Sequence, residues 1–580
     1  MIKRLSKCIR EYKLPSILAP IFIAMEVILE VFIPKIMGKL MDNGIEKGDV
    51  SYVLKAGVLL VVLCSLSLLS GVASGTAAAK ASSGFAKNLR HDMYHNVQNF
   101  SFASIDKFST SGLVTRLTTD VTNLQNSYQM IIRIAVRSPA MLIFSLTMAL
   151  SINAKISMIF LCVIPILALG LGLIISKAHP IFKRVFKTYD KLNTVVNENL
   201  HGIRVVKSFV REDEEEKKFK GVSGTIFSDT KKAEGFLAFN APLMQFSSYL
   251  CMLLIAWFGA KLIIGSGSAE MTTGDLFSVI TYTMQILSTL MMLSMIFVML
   301  TMSKASGERV CEVLNEVTDL HNPENPVKEV KDGSIVFENA GFSYSKSKDN
   351  LCLKNVNLSI KSGETVGIIG STGSSKTSFV QLIPRLYDVT EGSVKVGGVD
   401  VRDYDLDTLR NQVAMVLQKN VLFSGTIKDN LRWGNENATE EEMIEACKLA
   451  QAHPFISEMP DGYDTYIEQG GTNVSGGQKQ RICIARSLLK KPKILILDDS
   501  TSAVDTKTDT LIRMAFKQYI PETTKIIIAQ RISSIQDADK IIVLDGGEVS
   551  AFGTHDELMK TSEIYQEVYN SQVKGGSDDE

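Results

Sequence analysis

Two layers of organisation are predicted for this chain of 580 residues. The first is an α-helical six-span transmembrane domain with long cytosolic helix extensions, and the second is an α/β domain built around a phosphate-binding loop. Three observations predict this. Six apolar stretches in the first half each reach the roughly 20 residues needed to cross a bilayer. A buried strand in the second half, Val366-Gly367-Ile368-Ile369, runs into a Gly/Ser-rich loop that ends in Lys376-Thr377. A second apolar strand, residues 493–497, ends in Asp498-Asp499.

The six stretches are placed at residues 14–36, 53–77, 129–150, 156–175, 236–264 and 276–302. Short links join the first to the second, the third to the fourth and the fifth to the sixth. The other two links are long and charged, yet poor in Pro and Gly and still periodic in apolar residues, so they are predicted to continue the spans as helices. Each is expected to turn at a polar break, within 102–112 in the first and within 186–202 in the second. Lys3, Arg4, Lys7, Arg10 and Lys13 precede the first span and Lys80, Lys87 and Arg90 follow the second. By the positive-inside rule both termini and both long links are expected on the cytosolic side of the cell membrane.

Some spans carry ionisable groups. Glu26 and Glu30 share a helix face in the first, and Arg133 and Arg137 in the third. Such groups cost at least about 2.5–3.5 kcal/mol at membrane depth, so they are expected to face a cavity or one another. Gln245 and Gln285 are weaker candidates of the same kind. Formal charge is balanced, with 62 basic and 62 acidic residues, which argues against nucleic acid as a partner. The eight cysteines have no metal-binding spacing and read as reduced packing residues. His91 and His95 have the spacing of a helical metal pair, but lack a third ligand nearby and read as a polar helix face.

The loop Gly370-Ser371-Thr372-Gly373-Ser374-Ser375-Lys376-Thr377, entering a helix at Ser378, has the pattern that cradles phosphates with main-chain N–H groups and a helix N-terminus. Lys376 is expected on the β- and γ-phosphates and Thr377 on Mg²⁺. Ser375 stands where this pattern has Gly, which calls for an unusual backbone angle. Asp498 is the expected Mg²⁺-organising carboxylate. After it, Asp499 replaces the usual Glu and sets its carboxylate about 1.5 Å back, a displacement that matters for positioning water. Gln530 replaces a His that normally reaches the γ-phosphate. Two departures in one site predict binding more than turnover.

The segment Asn473-Val474-Ser475-Gly476-Gly477-Gln478, shortly before the Asp498 strand, resembles the signature of ATP-binding cassette proteins. Gln418 resembles the Q-loop glutamine, and Ser502-Ala503-Val504-Asp505 the D-loop. Tyr344 resembles the aromatic that stacks on adenine. Residues 111–116 and 199–209 are similar to the two cytosolic links of the exporter branch. What the resemblance implies is an ATP-binding cassette exporter half-transporter, with ATP and Mg²⁺ as cofactors and Thr377, Gln418 and Asp498 around the metal. Cassettes of this kind pair head to tail, so Ser475, Gly476, Gly477 and Gln478 would face ATP held by a partner.

With Asp499 and Gln530 both altered beside Lys376, the pattern resembles the degenerate-site subunit of bacterial heterodimeric multidrug exporters. The expected partner is a second, non-identical half-transporter carrying Glu and His at those positions. The expected substrate is a hydrophobic or amphipathic small molecule (a drug, lipid or small peptide) moved out of the cytosol by alternating access within the lipid bilayer. A slow homodimeric exporter, or an ATP-gated channel or regulatory membrane subunit, are the alternatives. Domain bounds are expected at 1–303 for the membrane domain, 304–333 for a linker, 334–570 for the nucleotide domain and 571–580 for a disordered acidic tail.

Overall fold

A computed structural model describes residues 1–500 and 504–575. The chain divides into two units, Met1–Gln98 with Thr110–Glu316, and Asn99–Ser109 with Val317–Glu580.

The first unit is helical. Six stretches are long and apolar enough to cross a membrane: Ile2–Ile45, Val50–Gln98, Thr110–Ile152, Ala154–His201, Glu212–Ser266 and Thr273–Leu293. Val50–Gln98 has 49 residues and Ala154–His201 has 48. At about 1.5 Å per residue each spans roughly 70 Å, more than twice the hydrocarbon thickness, so these helices continue well past the spans as predicted. The first break falls in the expected window. Its short helix Phe102–Lys107 is capped by Ser101, whose hydroxyl accepts from the Ser104 N–H at 3.3 Å.

The second break falls at the very end of the expected window 186–202. The helix runs unbroken to His201, and the chain turns only at Gly202 before the short helix Ile203–Ser208. Residues 186–201 contain neither Gly nor Pro, so nothing locally stops helix propagation until Gly202. The expected 304–333 linker is divided. Its first part continues the helix Thr273–Asn315, while Leu320 and Val330 are buried in the second unit.

The second unit contains a six-stranded sheet ordered Glu548–Gly553, Lys540–Asp545, Thr365–Gly370, Thr524–Ile528, Ile494–Asp498, Val413–Val416. All but the first strand run parallel. The central strands are buried along their whole length and mostly apolar, as parallel strands covered by helices require. A four-stranded antiparallel sheet, ordered Leu353–Ile360, Ile335–Phe342, Glu391–Val396, Val399–Asp400, packs its Phe337 ring on Phe379 of the loop helix at 4.4 Å. The final helix, Glu563–Gly575, extends past the expected boundary at 570; residues 576–580 of the expected tail lie outside the described residues.

Candidate nucleotide site

Three neighbouring parallel strands converge on one edge of the sheet. Thr365–Gly370 feeds the loop, Ile494–Asp498 ends in the two aspartates, and Thr524–Ile528 lies between them and leads to Gln530. Ligands of open α/β sheets gather at such carboxyl ends.

The loop is tightly specified. A Cβ on Gly370 would come within 2.1 Å of the Leu544 carbonyl oxygen, so only glycine fits. Ser375 adopts φ 68°, ψ 24°, the left-handed conformation its position predicts. A residue with a side chain is disfavoured there by about 1–2 kcal/mol. Ser371, Thr372, Gly373 (φ 87°) and Ser374 complete the turn. Lys376 Nζ curls over it and donates to the carbonyls of Gly370 at 2.9 Å and Ser371 at 2.8 Å. Burial pushes this ammonium below the usual lysine range, against the opposing charges of Asp498 and Asp499.

Thr377 Oγ1 donates to Asp498 Oδ1 at 3.2 Å. Oδ2 of Asp498 is buried with no hydrogen-bond partner among the described residues. Burial pushes this carboxyl above its usual range, and the Thr377 bond opposes the shift. A hydroxyl beside a buried, half-satisfied carboxylate is a donor set that fits Mg²⁺, which takes one or two protein oxygens and completes its octahedron from phosphates and water. No cluster of three His, Cys, Asp or Glu exists among the described residues, so a metal here would need those outside ligands. Gln418 lies exposed two residues beyond the strand Val413–Val416, whose last residue pairs with Leu497.

Asp499 is left-handed at φ 49°, and its N–H donates to the Ile528 carbonyl at 3.1 Å. Gln530 Nε2 donates to Asp499 Oδ2 at 2.7 Å. The two departures noticed separately in the sequence are therefore directly bonded to each other.

Tyr344 is half-exposed, and its hydroxyl shares a 2.8 Å hydrogen bond with Ser378 of the loop helix. Its ring meets Tyr387 edge-on at 5.3 Å. Tyr387 in turn donates to Asp106 Oδ2 at 2.6 Å and packs against Phe102, both on the short helix Phe102–Lys107 within this same unit. Sequence reasoning missed Tyr387, because nothing in Arg385-Leu386-Tyr387-Asp388 marks it out.

Ser475 caps the helix Gly476–Leu488 reciprocally. Its hydroxyl accepts from the Gln478 N–H at 3.3 Å and its N–H donates to Gln478 Oε1 at 2.9 Å. The first turn, with Gly476 and Gly477, is left open toward solvent, where a helix N-terminus favours an anion. Val474 is buried in the core. Of the expected D-loop, Ser502 and Ala503 lie outside the described residues, while Asp505 caps the helix Thr506–Tyr519.

In the first unit, Arg137 pairs with both acidic residues of the first span, Glu26 and, at 2.7 Å, Glu30. Oε2 of Glu26 is buried without a partner among the described residues, and a Cβ on Gly71 would approach it to 3.1 Å. Arg133 stands apart from that pairing, one turn earlier. Gln245 and Gln285 come together with Met244, Met284 and Met291 around an open cavity of about 620 Å³ between two spans.

A phosphate-binding loop, a buried strand-end aspartate and an adjoining aromatic, carried by a chain with six candidate spans, define a multi-pass membrane protein with a nucleotide-binding domain. The chain belongs to the ABC transporter family. Residues 16–291 match the ABC transporter transmembrane region, and residues 353–502 match the ABC transporter domain. It is built as a half-transporter, one such region followed by one such domain. The uncharacterized ABC transporter ATP-binding protein YfiB of Bacillus subtilis (strain 168) is 38% identical over 564 residues, 97% of each chain. The ATP-dependent lipid A-core flippase of Desulfotalea psychrophila is 32% identical over 99% of each chain. A bacterial Atm1-family ABC exporter solved with ATP bound shares the fold, with TM-score 0.79 and 24% identity over 97% of this chain and 98% of that one.

Proposed function

We propose that this chain is one subunit of an ATP-driven exporter, and that its own nucleotide site binds Mg·ATP but turns it over slowly. The bond from Gln530 to Asp499 carries this reading. Hydrolysis needs a carboxylate free to polarise the attacking water and a side chain reaching the γ-phosphate. Here the short Asp499 is engaged by the very residue that stands in the phosphate-side position. Loss of one such transition-state contact is worth 10²–10³-fold in rate on the order of magnitude seen elsewhere.

In this reading Lys376 leaves its loop carbonyls for the β- and γ-phosphates, Thr377, Asp498 and Gln418 hold Mg²⁺, and Tyr344 stacks on adenine. Bound by these residues, the metal would supply charge neutralisation to the phosphates. Ser475, Gly476, Gly477 and Gln478 serve ATP bound by a second, non-identical chain with Glu and His at the catalytic positions. Both termini are assigned to the cytosol from the Lys and Arg flanking the first two spans. The substrate is an amphipathic molecule, and the Met- and Gln-lined cavity between the spans supports an uncharged, adaptable contact surface for it. The lipid substrate named for the flippase relative adds support for an amphipath.

The test is intact mass measurement of the complex isolated from its native membrane through a C-terminal tag on this chain. A second chain with Glu and His at the two positions is expected. A homodimer would refute the mixed assembly and favour two slow sites.

A further inference from the structure

The residue Gln530 acts from a loop, and something must hold that loop. A cavity of about 630 Å³ opens beside it, bordered by Asp499, Thr506, Gln530, Ser534, Tyr569 and Gln572. Across it lies the final helix, Glu563–Gly575. Tyr565, Tyr569 and Gln572 recur at i, i+4 and i+7 and so share one face of that helix. Tyr565 is fully buried and its hydroxyl shares a 2.8 Å hydrogen bond with His555 Nδ1. Tyr569 packs on the same imidazole at 5.5 Å. The helix is thus anchored two turns before Gln572.

Gln572 grips the loop by its main chain at two points. Its Oε1 accepts from the Ile532 N–H at 2.8 Å, and its Nε2 donates to the Gln530 carbonyl at 2.8 Å. The amide thereby forms a two-point bridge to the segment that aims the Gln530 side chain at Asp499. Among the described residues no other side chain bonds the main chain of residues 529–533.

We propose that Gln572 is a positioning residue: the final helix braces the Gln530 loop, fixes how far Gln530 reaches toward the γ-phosphate, and so sets how strongly this site prefers ATP over ADP. The last clause rests on the phosphate-side reading of Gln530 above; the brace itself does not. Both ends of the Gln572 amide are engaged by the loop's main chain, so its effect is transmitted through the backbone.

The experiment uses the purified full chain with Q572M, which keeps the side-chain length and removes both hydrogen bonds, and Q572E, which keeps the acceptor for Ile532 alone. Hydrogen exchange of the nucleotide-free protein is read on peptides covering 526–536. Q572M is expected to speed exchange of the Ile532 amide roughly 10-fold or more, with Q572E close to wild type. Binding of the fluorescent probes MANT-ATP and MANT-ADP with Mg²⁺ supplies the second readout. Q572M is expected to cut the ATP-over-ADP preference about 3–10-fold with ADP affinity unchanged, and to add nothing in a Q530A background, as coupled positions do.

Unchanged Ile532 exchange in Q572M would overturn the brace. Equal weakening of both probes would overturn the positioning role and leave the helix a structural support. A Q530A variant with normal ATP preference would instead overturn the phosphate-side reading of Gln530, the exchange result then deciding the brace by itself.

Discussion

The side-chain amide of Gln530 lies 2.7 Å from Oδ2 of Asp499, joining the two residues on which the proposed slow turnover rests. Each change alone would leave a partner misaligned; together they satisfy one another. The pair D499E and Q530H, introduced together, should therefore raise ATP hydrolysis on the order of 10²-fold, and either alone far less. Steady-state phosphate release from the purified complex measures this. A double variant no faster than wild type would place the slow step elsewhere.

Ser375 holds a left-handed backbone at φ 68°. S375G removes about 1–2 kcal/mol of steric cost but adds about 0.5–1 kcal/mol of unfolded-state entropy. The relief wins, and a small net gain of about 0.5–1 kcal/mol is expected, visible as a raised melting temperature of the nucleotide domain transition. A lowered melting temperature would show that the serine side chain contributes more than its backbone loses.

Burial holds the Asp498 carboxyl above its usual range. A carboxyl with a raised folded pKa favours the nucleotide-free fold while protonated, and that contribution fades as pH rises through the folded value. Mg²⁺ binding needs the ionised form, so Mg·ATP binding should release protons in the acidic range and tighten as pH rises through it. Calorimetry in buffers of different ionisation enthalpy reads the release. D498N should raise the nucleotide-free melting temperature while abolishing the Mg²⁺ dependence of binding; a variant that lowers both would contradict the unpartnered role of Oδ2.

The Tyr387 hydroxyl donates to Asp106 at 2.6 Å, and both burial and that carboxylate keep the phenol protonated well above the usual tyrosine value. Hydrogen bonds to charged groups contribute about 1.5–3 kcal/mol. Y387F should loosen the segment 99–109 on its unit by a comparable amount, read as faster amide exchange in peptides from that segment. Exchange unchanged from wild type would assign the segment's hold to Phe102 packing alone.

Arg137 satisfies two carboxylates within the span region. R137A leaves Glu26 and Glu30 facing each other unpaired, and a loss of about 3 kcal/mol is expected, the lower end for buried pairs because Arg137 and Glu30 keep partial exposure. The triple change E26Q, E30Q and R137M should recover most of it. Thermal aggregation of the solubilised protein compares the two, and equal losses would show that the charges themselves are needed.

Local signals wrote much of this protein. The six spans follow from apolar length, the phosphate loop from Gly370, Gly373 and Lys376 after a buried strand, and the left-handed turn at Ser375 from its place in that loop. Such features depend on residues near one another in the chain. Where the second long link turns was legible only as a window: polar composition pointed to 186–202, and the helix ran on through the polar residues to stop at Gly202, the first helix-breaking residue in that window.

Other relationships exist only because distant segments fold together. Gln530 can bond Asp499 because the strand Thr524–Ile528 inserts between Thr365–Gly370 and Ile494–Asp498, with Ile528 in register with Asp498. The contact of Tyr387 with Asp106, the grip of Gln572 on the Gln530 loop, and the pairing of Glu26 and Glu30 with Arg137 join residues from 42 to 281 positions apart. Sequence periodicity carries no record of strand order or side-chain partnership across such separations. The sequence alone thus determined which groups this chain possesses; only tertiary packing, through sheet register and long-range hydrogen bonds, decided which of them hold one another.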